Sequence, residues 1–383
     1  MPKQRLHVVR HVLPGCRSAN AHGSNRTCRK FSAACCVGFI SSVFMLAPTR
    51  LRAQSSGDDS QRPVPILSAG AGFITTFDSG DAHLGPLVAP VLLIPIGERW
   101  LIESRATFES DLSRPSGSGG FRGKLRKEVD YLQLDFIANP YVTLTVGRFL
   151  TPFGIFNERL YPIWIRNLQT DPLVLPIGVG PSNASTGAMA RGGFRIHPKI
   201  NLNYALYFSA LSTVHVLDSD RSAGGRLGIY LPGPRLEFGG SFQHLLQSER
   251  SNSFGFHFVW QPPAVPVDLR GEYARSARGS GYWVESAYRL NEVPLMRSAL
   301  RHMQVVARAQ QFFASALPSD SLPAANTRQV ELGANYYIRD DLRLVSSYGR
   351  QFTAGANANI WTIGLTYRFV APLAGRDKSG GVD

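Results

Sequence analysis

Beyond Ala53 the chain has no cysteine: Cys16, Cys28, Cys35 and Cys36 all lie in the opening stretch. This excludes a disulfide scaffold and a thiolate metal site from the bulk of the protein. The same bulk lacks an apolar run long enough for a spanning helix. Its most hydrophobic stretch, Leu87 to Ile96, is ten residues long and is broken by Pro90 and Pro95. Crossing a bilayer would therefore require strands, since a spanning helix needs about 20 apolar residues. Catalytic signatures are missing as well: there is no HExxH helix, GxSxG elbow or Walker loop. Gly178-Val179-Gly180 lacks the third glycine and the following helix of a phosphate cradle. His83, His197, His215, His244, His257 and His302 have no ligand spacing and read as turn or wall residues. Asp340 and Asp341 fall in a tight turn, where carboxylates satisfy backbone donors. No cofactor, metal or enzymatic step is expected.

Acidic residues are absent from residues 1–53, which carry nine Lys or Arg. Arg26, Arg29 and Lys30 precede an apolar run from Phe31 to Ala47, then Pro48 and a short exit to Ala53-Gln54. This order of basic, apolar and small residues predicts a signal peptide and leader over 1–53, followed by a short polar segment over 54–64. Without the leader the 41 basic and 27 acidic residues become 32 and 27, so the net charge falls from +14 to +5. The basicity belongs mostly to the leader, and nucleic acid is not an expected partner.

From Pro65 onward, segments of about ten residues alternate apolar and polar side chains and are separated by turns. Short turns include Gly97-Glu98-Arg99, Asn139-Pro140-Tyr141, His197-Pro198-Lys199, Leu231 to Pro234 and Arg339-Asp340-Asp341. Longer polar segments begin at Ser113, Leu211, Gln247 and Ala314. Trp100, Ile102, Ala106 and Phe108 oppose Glu103, Arg105, Thr107 and Glu109; in the segment from Asp130 onward, Leu132, Leu134, Phe136 and Ala138 oppose Tyr131, Gln133 and Asp135. Phe254, Phe256, Phe258 and Trp260 form another apolar face, and aromatics recur at segment ends, among them Tyr141, Tyr204, Tyr288 and Tyr348. A soluble sandwich also alternates, but aromatic girdles with short turns at one end and long loops at the other fit an all-β transmembrane antiparallel barrel. The pattern predicts about sixteen strands over 65–369, within a range of about 14 to 18, and a disordered tail over 370–383.

One stretch breaks the pattern. VGRFLTPFGIFNERLYPIWIRN, Val146 to Asn167, begins as a strand end, stops alternating at Thr151-Pro152 and continues with no clean period. At the outer end of about the fifth strand it is expected to fold inward and narrow the lumen. By parity the lumen also carries Glu103, Arg105, Glu109, Asp135, Arg226, Glu237, Arg270, Glu272, Glu285, Arg289, Glu331, Arg343 and Arg368. Charges of both signs in one cavity suggest a transverse field, or pairing along the wall. Arg148 falls on the lipid-facing parity and so needs a rim position or a bulge.

Gly147 to Gly154, with Thr151-Pro152-Phe153-Gly154 and then Asn157-Glu158, resembles the segment of the phosphate-selective porin O and P group that leads from a strand into an inward loop. The final strand, Asn359 to Phe369, resembles the terminal assembly signal of outer-membrane proteins, although VAPLAGRDKSGGVD follows its Phe. The resemblance implies a bacterial outer-membrane channel for passive diffusion of small hydrophilic solutes or ions, with membrane lipids and a homotrimer as partners. The family's anion-binding ladder does not map onto this chain residue by residue. Candidate pore-lining or constriction residues are Arg105, Glu109, Glu158, Arg159, Arg166, Arg226, Arg270, Glu272, Arg289 and Arg343. A barrel with a plugged lumen, acting in surface interaction or as a scaffold, is the alternative; an outer-membrane enzyme is the third.

Overall fold

The computed structural model describes residues 64–78, 81–114, 120–175, 183–214, 217–247, 250–292, 300–315, 322–355 and 357–373. The expected leader, the Gly178 motif, His215 and the end of the tail lie outside these residues. Eight strands make the first half: β1 Ile66–Asp78, β2 Asp81–Ile96, β3 Trp100–Arg114, β4 Arg122–Asn139, β5 Val142–Leu150, β6 Ala184–His197, β7 Ile200–Ser209 and β8 Ser222–Leu231. Eight more follow: β9 Leu236–Leu245, β10 Asn252–Trp260, β11 Val267–Ser276, β12 Gly279–Arg289, β13 Met303–Ala314, β14 Thr327–Arg339, β15 Leu342–Thr353 and β16 Asn357–Pro372. Each pairs antiparallel with its sequence neighbours, and β1 pairs with β16 through Ala69 and Phe369, so the sheet closes into a sixteen-stranded barrel. The expected fold class and strand count are both found. The last strand runs three residues past Phe369, to Pro372, because Ile66 to Ala69 of β1 offer it partners there.

The barrel is inverted relative to a soluble sandwich. Phe256, Leu206 and Leu332 are 62%, 61% and 59% exposed on the outside, while Glu285, Glu331 and Arg343 are each 1% exposed inside. Alternation sets this directly, since neighbouring side chains of a strand point to opposite faces. In β10, Ser253, Gly255 and His257 are buried and Phe254 and Phe256 are exposed. A lysine or arginine on a lipid-facing wall costs about 2–4 kcal/mol at mid-depth, so an outer face free of charge over its middle suits hydrocarbon. Turns of two to four residues join β2–β3, β4–β5, β6–β7, β8–β9 and β14–β15 at one end of the barrel, where β12–β13 has the longest connection. The β7–β8 and β13–β14 pairs are joined by longer segments at the other end, from which the chain also leaves β5 at Thr151.

Strict alternation breaks at one position of β4. Asp130 does not share the outer face of Leu132 and Leu134; it is 2% exposed on the inside. The β3 to β4 register shifts at Arg105/Ala106, where Tyr131 pairs with Arg105 and Val129 with Ala106. Asp130 is the extra residue of that bulge, which turns its carboxylate toward Arg105.

Candidate functional site

The site begins where β5 ends. Gly147 has φ 126°, and a side chain there would run into the Leu132 carbonyl. The distortion ends the regular alternation: Arg148 is buried, donating from Nε to the Val129 carbonyl at 2.7 Å and from Nη1 to the Asp218 carbonyl at 2.8 Å. After Pro152 the chain enters the lumen. Phe153, Ile155, Phe156 and Leu160 are nearly inaccessible and pack with Trp283 on β12 and Phe312 on β13. Asn157 fixes the first turn, donating from Nδ2 to the carbonyls of Thr151 and Asn183, both at 2.8 Å.

Charged wall residues hold the rest of the segment. Glu272 on β11 accepts from the backbone N–H groups of Ile155 and Phe156 at 3.2 and 3.3 Å, at the start of a short π-helical turn, Phe156–Leu160. Such N–H groups lack partners within the turn, and a carboxylate satisfies them. Arg226 on β8 donates to the Gly154 carbonyl at 3.1 Å and pairs with Glu158 at 2.6 Å; Arg191 on β6 reaches the other Glu158 oxygen at 3.5 Å. Arg159 pairs with Glu237 on β9 at 2.7 Å. Burial opposes the Arg159 charge, but that bond outweighs it and raises its pKa. Further along, Asn167 donates to Glu285 at 2.9 Å, Thr170 to Glu331 at 2.5 Å, and Arg308 on β13 to the Thr170 carbonyl at 2.8 Å. Glu285 sits between two cations, Arg270 and Arg308, each 2.6 Å away.

The segment also reaches the opposite wall. Tyr161 donates to Asp130 at 3.3 Å and lies under the Arg105 guanidinium, which is 3.1 Å from the same carboxylate. Burial, followed by the charge of Asp130, raises the Tyr161 pKa and keeps its hydroxyl a donor. Ile163 is seated over Gly70 and Gly72 of β1, where a Cβ at Gly72 would lie 2.8 Å from its Cδ1. Arg166 bonds within the segment, to the carbonyls of Leu160 and Tyr161 and to Asp171 at 2.6 Å.

Two larger cavities lie at the two ends. The one toward the short turns has a volume of about 1120 Å³ and is lined by Arg159, Arg235, Arg270, Arg289, Arg301, Arg343 and Arg368 against Asp268 and Asp340. Five of its neighbours form an alternating stack. Arg289 and Arg343 lie over the Tyr337 ring at 5.6 and 5.8 Å, and Arg343 and Arg368 lie over Trp164 at 5.2 and 5.1 Å. Such contacts hold guanidinium planes in place without neutralising them. The cavity toward the long loops measures about 430 Å³ and mixes Arg105, Arg126 and Arg166 with Glu109, Asp111, Glu128 and Asp171.

The ten sequence-derived candidates thus divide. Glu158, Arg159 and Arg166 lie on the inward segment, while Arg226, Glu272 and Arg343 hold its backbone; Arg343 donates to the Ile163 carbonyl at 3.0 Å. Arg105 meets Tyr161, and Arg270 reaches the segment through Glu285 and Asn167. Arg289 and Glu109 stand apart, one in each end cavity. Sequence reading missed Arg308, Arg191 and Asp130. Arg308 shares parity with Gln304 and Gln310, a signal masked by Val and Ala on both faces of β13. Asp130 was hidden by the bulge.

Solved structures share this arrangement of strands. OprB of Pseudomonas putida at low pH is 9% identical over 80% of this chain and 92% of its own, with a TM-score of 0.53. The anion-selective porin of Comamonas acidovorans is 12% identical over 80% and 99%, with a TM-score of 0.53. OmpF of Salmonella typhi, in complex with daunomycin, is 10% identical over 80% and 97%, with a TM-score of 0.55. The fold is that of a bacterial porin. No protein-family description and no curated protein sequence matches the chain. The likeness does not single out the phosphate-selective group.

Proposed function

We propose that the protein is an outer-membrane channel for passive diffusion of small hydrophilic solutes, with the segment from Thr151 to Leu175 as its constriction. The observation that carries this reading is the inward segment itself, held inside an apolar-faced barrel by wall charges such as Glu272, Arg226 and Arg343. Its chemistry is selection by size and field, without a bond-making step. Seven arginines against two aspartates in the short-turn cavity support a preference for anions. Purified protein reconstituted in planar bilayers is expected to give discrete conductance steps, with a reversal potential in a salt gradient of the sign set by anion flow. Assembly of three copies is part of the reading on the sequence resemblance alone, and cross-linking in the membrane tests it.

A second reading has an observation in its favour. The segment touches both β11 through Glu272 and β1 through Ile163, so it spans the lumen. A plugged barrel that presents its long loops to partners would show heat-modifiable mobility on gels and no conductance.

A further inference from the structure

The two end cavities share no lining residue, so the inward segment divides them. They come nearest to each other at β1. There Gly70 pairs with Arg368 of β16 and Ala89 of β2, and Gly72, the next inward position toward the long loops, pairs with Thr366 and Leu87. Arg368 lines the short-turn cavity and Leu87 the long-loop cavity. Along this wall the cavities are thus two residues apart, a spacing of about 7 Å. Among the described strands, β16 and β1 are the one neighbouring pair in which one member lines each cavity. The wall between them is nearly bare, because Gly70, Gly72 and Ala89 send almost no side chain inward.

Ile163 covers that seam. It is 7% exposed, and a Cβ at Gly70 would lie 3.6 Å from its Cγ1. Ile163 lines the long-loop cavity, and its neighbour Trp164 lines the short-turn cavity. The backbone here is fixed: Arg343 donates to the Ile163 carbonyl at 3.0 Å and to the Thr366 hydroxyl at 3.3 Å, and Arg343 and Arg368 hold the Trp164 ring. The Ile163 side chain rests on glycine backbone and can swing aside without breaking a polar bond. At Tyr161, by contrast, opening would break the bond to Asp130 and uncover the ion pair of Asp130 with Arg105. A narrow apolar constriction also excludes water and ions until it widens. We propose that solute passes between Ile163 and the Gly70 to Gly72 stretch of β1, and that the Ile163 side chain is the gate that sets the size limit.

The inference deepens the channel reading and rests on it, and its test separates the two. Single-channel conductance in planar bilayers is compared for the wild type, I163A and M189A, after heat-modifiable mobility has shown that each is folded. I163A is expected to raise conductance about twofold or more, because the apolar constriction is removed. Met189 lines a small cavity of about 140 Å³ against β3 to β6, on another side of the segment, and M189A should conduct as the wild type does. I163C treated with benzyl methanethiosulfonate should lose about half its conductance or more, while the wild type treated alike keeps its own. With a conducting wild type, equal conductance in I163A, an equal rise in M189A or an unaffected I163C would each overturn the gate and leave the channel standing. A silent wild type beside a conducting I163A would overturn free diffusion and support the gate; silence in both overturns both. Should I163A not fold, I163V, which removes only Cδ1, carries the test: a rise of about one quarter is expected, and no rise overturns the proposal.

Discussion

Glu272 on β11 and Ile155 on the inward segment are joined by a 3.2 Å hydrogen bond from the Ile155 N–H to the Glu272 carboxylate. More than a hundred residues separate them, so the bond is a direct record of the segment's return to the barrel wall. Glu272→Ala removes the acceptor for two buried N–H groups. The expected cost is about 1–3 kcal/mol for each group left unsatisfied, together with noisier single-channel current. Current traces as quiet as the wild type's, at unchanged stability, would mean that the segment is held elsewhere.

Gly154 is the companion of that bond. Its φ is 66°, and a Cβ there would overlap the Glu272 carboxylate. Gly154→Ala therefore adds about 1–2 kcal/mol of backbone strain and displaces the same acceptor. The variant should reproduce the current noise of Glu272→Ala. The double variant should fall well short of the sum of the two stability losses, because both act on one contact. Simple additivity in unfolding would count against the shared origin.

Glu285 lies 2.6 Å from both Arg270 and Arg308 and is 1% exposed. Glu285→Gln leaves two buried guanidiniums without their common anion, and about 3–5 kcal/mol of stability should be lost. Denaturant unfolding in lipid vesicles, followed by tryptophan fluorescence, measures it. A loss of about 1 kcal/mol or less would place this triad with solvent-exposed pairs.

Ion preference should follow the end cavities. Arg289→Gln and Arg368→Gln each remove one charge from the arginine-lined cavity without removing a bond to the inward segment's backbone. Both are expected to shift the reversal potential toward cations, and Glu109→Gln at the other cavity to shift it toward anions. Arg343→Gln is a poorer probe, since it also releases the Ile163 carbonyl. If the first two variants leave the reversal potential where it was, the short-turn cavity does not set selectivity.

The strand pattern was legible because side-chain direction in a strand is local, with a period of two. Phe254, Phe256 and Leu206 could be assigned to the outer face, and Glu285, Glu331 and Arg343 to the lumen, from parity alone. The same logic failed at Asp130, where one extra residue reverses the face, and no neighbouring residue type announces that bulge. It also passed over Arg308, because Val305 and Val306 on opposite faces blur the alternation.

The sequence by itself determined a barrel of about sixteen strands, the inward break after Leu150 and a lumen of mixed charge. Only the closed tertiary structure decided that these charges hold the segment, and which of them meet. Arg343 and the Ile163 carbonyl are 180 residues apart, and Glu331 and Thr170 are 161 apart. Such pairs depend on how closure aligns distant strands around one lumen. No strand's own period carries that information, whereas the direction of each side chain is written into it.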